Sequence, residues 1–274
     1  MYIQIYGGVY MLIKNCNIIY LDKIEKGSVL VENGKIKEIN PTNVDTTDVL
    51  DANGLYLSPG FIDVHIHGAG GHDTMDGTFE AINEISKVIV KHGTTAFTPT
   101  TMTVAVEDIR KSMEVIKEAK ENGTDGAIVL GAHLEGPFIS PKAIGAQNPN
   151  FLIAPTLENY TAMVGDAEDA VVSITIAPEV PGAKELIKEL SQRGVVCSIG
   201  HTKATYAEAM EGIKCGCCHS THLFNAMTPF AHREPGVVGA ISCCCTPQDG
   251  HITALSSISF PQFLQKAIFF PPQK

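Results

Sequence analysis

The sequence lacks any apolar run approaching the ~18 residues of a membrane-spanning helix, so no membrane partner is expected. It also lacks a surplus of base: Lys and Arg total 20 against 30 Asp and Glu, for a net charge of −10. A nucleic acid held through its phosphates needs a basic face, and this balance excludes one. The first residues, Met1 to Leu12, have no basic n-region and no signal-peptide shape, and Met11 is a second candidate start that would make 1–10 an upstream extension. Charged residues are scarce at 18% beside 44% hydrophobic, which excludes a disordered, charge-rich tail and calls for a folded core. No GxGxxG or P-loop order is present, so Gly70, Gly71 and Gly77 read as turn residues and not as a phosphate cradle.

A disulfide framework is missing as well. Of the eight cysteines, six crowd between Cys215 and Cys245, whereas a secreted scaffold spreads them through a shorter chain. Reduced thiols in the cytoplasm are expected. A zinc site from Cys215, Cys217, Cys218 and His219 with Cys243–Cys245 has one C-x₂-C spacing, Cys215 to Cys218, but no second C-x₂₋₄-C unit to complete the paired arrangement of a structural zinc site. Cysteines near strands read instead as small buried hydrophobes.

What is present divides into three stretches. Residues 1–58 carry short β segments at Leu12–Asn15, Ser28–Glu32, Lys35–Asn40 and Leu55–Leu57, with Asn33-Gly34 marking a type I′ hairpin; a small β-sandwich domain is expected. From Pro59 the rhythm becomes strand, loop, helix. Strands are expected over Phe61–His67, Thr94–Pro99, Ala127–His133, Val171–Ala177, Val195–Gly200 and His219–Leu223. Helices are expected over Thr78–His92, Val104–Asn122, Gly182–Arg193 and Lys203–Ile213, with apolar spacing such as Ile82, Ile85, Val88 and Ile89. Strands alternating with helices argue for parallel βαβ units and an α/β fold, six strands in all across 59–240. After Ala240 the pattern stops, and 241–274 reads as a divergent tail in which Phe260–Phe270 has helix-like apolar content.

The chemistry falls at strand ends. In Phe61-Ile-Asp-Val-His65-Ile-His67 the two imidazoles stand at i and i+2, on one face of a strand together with Asp63, and make half of a metal site. The competing reading makes His65 a satisfied core histidine and His67 a loop cap. His133-Leu-Glu135 repeats the i, i+2 spacing, and a buried carboxylate wants a partner or a metal. His201 and His222 close the fifth and sixth strands. The C-terminal strand ends are the active face of a (β/α)₈ barrel, so convergence there favours a metal centre. A nitrogen and oxygen donor set without thiolate suits Zn²⁺, or Fe²⁺, over Mg²⁺ or Ca²⁺, and protein ligands Glu135, His201 and His222 leave the open position of a hydrolytic site.

Four phrases, PGFIDVHIHGAGGHDTMDG (59–77), HLEGPFIS (133–140), SIGHTKATY (198–206) and THLFNAMTPFAHREPGVVGA (221–240), resemble the amidohydrolase superfamily, in order, from about Met11 to Ala240. The His-x-His strand alone reaches only the superfamily, which includes dihydroorotase-like and deaminase enzymes; HLEGPF and THLFNAM…REPG point to the branch that deacetylates N-acetylglucosamine 6-phosphate. The resemblance implies a metal-dependent TIM-type barrel, release of acetate and glucosamine 6-phosphate, and a homodimer. It implies Glu135, His201 and His222 as ligands of the principal ion and His65 and His67 as those of a second. Asn225, Ala226 and Arg233 match substrate-binding positions, as do Ala146 and Gln147, where some relatives carry His. Arg233 offers a planar fork suited to phosphate, with a pair to Glu234 or another surface acid as its alternative. His72, Asp73 and Asp76 read as loop-capping groups.

In that branch an Asp in a Thr-Asp-Ala context at the eighth strand moves the proton to the leaving amine, and this sequence has no such segment; Asp249 and His251 lack matching flanks. The catalytic acid–base residue is therefore unassigned. Residues 59–240 amount to six βα units, against ~250 residues for eight. A barrel truncated or frameshifted after about Ala240 is the expectation. An active hydrolase and a catalytically dead remnant that still binds metal or sugar phosphate both stay open at this stage.

Overall fold

The computed structural model describes residues 10–245 together with the backbone of 267–270. The first sheet is organised by its longest strand, β1 (Tyr10–Ile19). It pairs antiparallel with β2 (Ile24–Glu32), which in turn pairs antiparallel with β3 (Lys35–Ile39). On its other side β1 runs parallel to β4 (Asp48–Asp51) and β5 (Tyr56–Pro59). The β2–β3 turn has Asn33 at φ 51° and Gly34 at φ 74°, the two positive angles a type I′ hairpin needs. β1 is longer than its sequence signal because a register shift between Ile13 and Cys16, with Asn15 at φ 55°, breaks the alternation. Ile13, Cys16, Ile18, Val29, Val31, Ala52 and Leu57 form the core of this sheet.

The second part begins with β6 (Phe61–Ile66). A small hairpin of β7 (Gly68–Ala69) and β8 (His72–Asp73) follows. Asp73 and Asp76 then cap a 3₁₀ turn over Thr74–Asp76, as expected of loop-capping groups. Helix α1 (Phe79–Val90) starts where the Thr78 hydroxyl accepts the Ala81 amide at 3.3 Å. After it come β9 (Thr94–Pro99) and α2 (Val106–Asn122). The single strand expected over 127–133 is two: β10 (Ile128–Val129) pairs with β9, and β11 (Ala132–Glu135) pairs with the next strand. The break falls at Gly131, whose φ of +136° suits only glycine, and a Cβ there would collide with the Ala170 carbonyl. Helix α3 (Leu157–Val164), capped by Thr156, was not anticipated; its eight residues carry too few turns for a clear period.

The series continues through β12 (Val171–Ile176), α4 (Ala183–Gln192), β13 (Val196–Ile199), α5 (Tyr206–Cys215) and β14 (Cys217–Ser220). α5 begins three residues later than expected because Thr205 and Glu208 form a reciprocal capping box there. β6, β9 and β10 pair parallel, β11 to β14 pair parallel, and a parallel bridge from Thr100 to His133 joins the two groups. The sheet therefore runs through its strands in chain order, each crossover carrying a helix. The core fills the space between strands and helices. Phe97, Leu134, Ile174 and Ile199 from the strands meet Ile82, Ile85, Met113, Ile116, Ile187 and Leu190 from the helices, all at most 1% exposed. Each such side chain contributes about 1.5–3 kcal/mol by burial.

Helix α6 (Gly236–Cys245) runs past Ala240, where the sequence reading set the start of a divergent tail. The last described segment, β15 (Ala267–Phe270), is a strand pairing antiparallel with β5, which corrects the helix-like reading of that stretch. Its apolar run carries no periodicity to separate strand from helix. The candidate start at Met1, the tail from 246 to 266, Asp249 and His251 lie outside the described residues. Among the described residues no helix is long and apolar enough to cross a membrane.

Candidate metal centre

Glu135 ends β11 pointing inward, at 2% exposure, and five side chains converge on its carboxylate. His67 Nε2 lies 2.9 Å from Oε2 and His65 Nε2 3.4 Å from Oε1. His201 and His222 each bring Nε2 to 3.2 Å from Oε1. The Gln147 amide nitrogen donates to Oε2 at 2.9 Å. His65 and His67 come from the end of β6, whereas His201 and His222 sit two residues beyond β13 and β14. Both of those loop histidines have positive φ, 47° and 31°, a backbone cost that the surrounding turns impose to aim the rings inward. Gly145 packs against His201, where a Cβ would sit 3.2 Å from the ring.

The tautomers follow from the backbone. His67 Nδ1 faces the Thr100 carbonyl at 3.2 Å, His201 Nδ1 faces the Ala143 carbonyl at 3.0 Å, and His222 Nδ1 faces the Asn225 carbonyl at 3.1 Å. A carbonyl only accepts, so each Nδ1 carries the proton and donates, and the neutral ring turns an Nε2 lone pair to the centre. The His201 and His222 Nε2 atoms are then only 3.0 Å apart, and those of His65 and His67 3.3 Å apart. Lone pairs so close repel unless protons or a cation lie among them. Ligand atoms at ~2.1 Å from a tetrahedral ion are ~3.4 Å from one another, close to these separations. Among the described residues two groups can hold an ion: His65, His67 and Glu135, and Glu135, His201 and His222. Glu135 belongs to both. The donor set therefore fits a divalent cation.

Electrostatics agree. Burial would raise the Glu135 carboxyl, but without an ion protons lie among these nitrogens, and hydrogen bonds from the protonated rings of His201, His222, His65 and His67 outweigh it and hold the group well below the usual carboxylate range. The hydrogen bond to Glu135 raises His222. His67 is also raised, its desolvation overcome by the same carboxylate. His133 behaves oppositely: desolvation, reinforced by His65, pushes it down to about 3.

The other expected site residues divide. Gln147 is buried; besides holding Glu135, its carbonyl accepts the Thr103 amide at 2.7 Å. Its neighbour Ala146 is exposed, as are Asn225 and Arg233, and Ala226 is half-buried with φ 48°. Glu234 does not serve as a partner for Arg233 here, since its carboxylate accepts the Tyr206 and Gly236 amides at 2.7 and 2.9 Å. Asp63 shares the strand with His65 but accepts that residue's backbone amide at 3.1 Å and stays out of the cluster. Cys197 and Cys217 are buried on neighbouring strands, with desolvation pushing Cys197 up to about 12, as suits inert hydrophobes. Sequence reasoning missed a row of hydroxyls beneath the centre: Ser173, Thr175, Ser198 and Thr221. A signal was available, because Ser173-x-Thr175 alternates within an otherwise apolar strand.

A parallel βαβ sheet with a histidine–carboxylate centre at its C-terminal strand ends defines the class of metal-dependent hydrolases built on a TIM barrel. Within that class the Amidohydrolase family matches residues 56–259, and the chain belongs to it. The N-acetylglucosamine-6-phosphate deacetylase of Lysinibacillus sphaericus is 36% identical over 233 residues, covering 84% of this chain and 60% of the relative. The Homo sapiens deacetylase is 35% identical over 246 residues, covering 86% and 60%. Among solved structures, the Pasteurella multocida deacetylase superposes with TM-score 0.77 at 30% identity, covering 85% of this chain and 62% of that one. An Asp-to-Ala mutant of the Mycobacterium smegmatis enzyme in complex with N-acetyl-D-glucosamine 6-phosphate gives TM-score 0.77 at 28% identity, covering 86% and 61%. The chain thus spans about 60% of the length of the curated relatives it matches.

Proposed function

We propose that the chain carries the metal centre and part of the sugar site of an N-acetylglucosamine-6-phosphate deacetylase, hydrolysing the acetamido group to acetate and glucosamine 6-phosphate. The carrying observation is the pair of three-residue groups that share Glu135. Support comes from relatives of that name at 36% identity. In this reading the six parallel strands are consecutive units of an eight-unit barrel. Residues 1–58 form a separate β domain, 59–240 the barrel units, and 241–274 a tail.

Zn²⁺ or Fe²⁺ suits the donor set, with one or two ions. When bound, the ion polarises the acetyl carbonyl and lowers the pKa of an attacking water towards ~7. The chain's own residues do the rest. Glu135 holds the charge that draws the ion in, and Gln147 fixes its Oε2. The carbonyls of Thr100, Ala143 and Asn225 lock the imidazole tautomers. Arg233 and Asn225 are exposed on the loop after β14; in this reading they meet the phosphate and sugar, with the Ala226 loop amide and the Ala146 loop contributing. The small-molecule substrate, a cytoplasmic location and a homodimer belong to the same reading; the exposed Phe61 and Ile62 on β6 give a second copy an apolar surface.

The test is acetate release from N-acetylglucosamine 6-phosphate by the purified chain with added Zn²⁺. Turnover that Glu135→Gln abolishes supports the reading. Zinc uptake without turnover assigns this chain to the non-catalytic metal-binding remnant.

A further inference from the structure

Beneath the metal centre lies an unbroken row of hydrogen bonds that the hydrolytic reading does not use. Ser173 Oγ meets His133 Nδ1 at 2.6 Å, and His133 Nε2 meets Thr175 Oγ1 at 2.9 Å. Thr175 Oγ1 meets Thr221 Oγ1 at 2.8 Å, Thr221 meets Ser198 Oγ at 2.7 Å, and Ser198 meets His219 Nδ1 at 3.1 Å. It crosses four adjacent strands or their ends, β11 to β14, and five of its six members are buried. Each hydroxyl has one proton, so the row admits two directions only. If His133 Nδ1 donates to Ser173, then Thr175, Thr221, Ser198 and His219 must each donate towards His133; reversing one bond reverses all. In both directions His133 has one nitrogen donating and one accepting, which fixes its ring plane at both ends.

That plane faces a metal ligand. The His133 ring stacks on His65 at 5.0 Å between centroids and 28° between planes. His65 has no carbonyl locking its Nδ1 among the hydrogen bonds described, unlike His67, His201 and His222. We propose that His133, clamped by Ser173 and Thr175, is a positioning residue for His65, and that the hydroxyl row sets the affinity of the ion-binding group His65–His67–Glu135. The proposal rests on the metal-centre reading above.

The test is metal titration of the full chain by competition with a chromogenic chelator for Zn²⁺ and by visible absorption with Co²⁺. Thr175→Val, nearly isosteric, removes the hydroxyl at Nε2, and Ser173→Ala removes the one at Nδ1. Each is expected to weaken the ion lost in His65→Asn by about 10- to 100-fold. Thr175→Ser should restore wild-type affinity and the wild-type cobalt spectrum, a rescue that a loss of bulk packing would not give. Should Thr175→Val fail to fold, Ser173→Ala carries the measurement alone. Wild-type metal affinity in the folded hydroxyl variants overturns the proposal, as does a His65→Asn variant that binds metal as the wild type does. Absence of metal binding by the wild type overturns the metal-centre reading itself, so the two failures are distinguishable.

Discussion

Glu135→Gln changes one atom's chemistry at the point where both ion-binding groups meet. The carboxylate is 2% exposed and accepts from, or pairs with, four imidazoles at 2.9–3.4 Å. An amide has the same shape but no charge, and it offers only one oxygen where both ion-binding groups use the carboxylate. Removing one partner of a buried ionic group costs about 3–5 kcal/mol. At 1.4 kcal/mol per tenfold, that corresponds to roughly 10²- to 4 × 10³-fold in metal affinity. The readout is thermal unfolding with and without Zn²⁺. At a free zinc concentration one hundred times Kd, a bound ion stabilises the fold by about 2.7 kcal/mol, which is worth about 5–11 °C in a chain of this size. The wild-type chain should show that rise, and Glu135→Gln at the same zinc concentration should lose most of it. A zinc-dependent rise undiminished in Glu135→Gln would refute the claim that this carboxylate joins the two groups.

Other expectations follow from the same geometry. In the metal-free chain Glu135 is depressed, so its contribution is present above the ordinary carboxyl value of ~4.3 and is lost as acid carries the pH through its lower folded value. His67 and His222 are raised, so theirs is present below ~6.5 and is lost as pH rises through their folded values. Metal-free Tm should therefore peak between those limits and fall towards pH 9, with Zn²⁺ adding more at pH 8 than at pH 6; a zinc increment that shrinks with pH would contradict this. On the proposed deacetylase reading, Arg233→Ala should raise KM for N-acetylglucosamine 6-phosphate about tenfold or more while sparing zinc binding, measured by acetate release and chelator competition. Phe97→Ala, at a fully buried strand position, should cost about 3–5 kcal/mol in urea unfolding.

The convergence of side chains on Glu135 was legible to an unusual degree because they lie at strand ends, where local periodicity reports direction. His65-x-His67 and His133-x-Glu135 share a face by the two-residue repeat of a strand, and that needs no tertiary information. The helices were equally readable wherever they bury an amphipathic face, as α1 and α4 do. Short or unperiodic elements were not: α3, β4 and the split of the third strand at Gly131 follow from contacts made by distant residues. Gln147 illustrates the same limit within the site. Its sequence position matched a substrate contact, and only the fold shows its amide also bonding Glu135 and the Thr103 backbone.

Residue type and spacing alone thus determined the donor chemistry, nitrogen and oxygen without thiolate, and the α/β order of the units that carry it. Which of those donors come together was decided only when the strands were laid side by side. Glu135 is one carboxylate in the chain, but its two oxygens face histidines 66 and 87 residues away on one side and the His65–His67 strand on the other. His133 is the counterexample, with the same residue type and strand face as a ligand. Ser173 and Thr175 on the neighbouring strand take both of its nitrogens, and it lies under the centre instead of in it. Such partnerships depend on parallel register between β11 and β12, a property of the assembled sheet that no local pattern encodes.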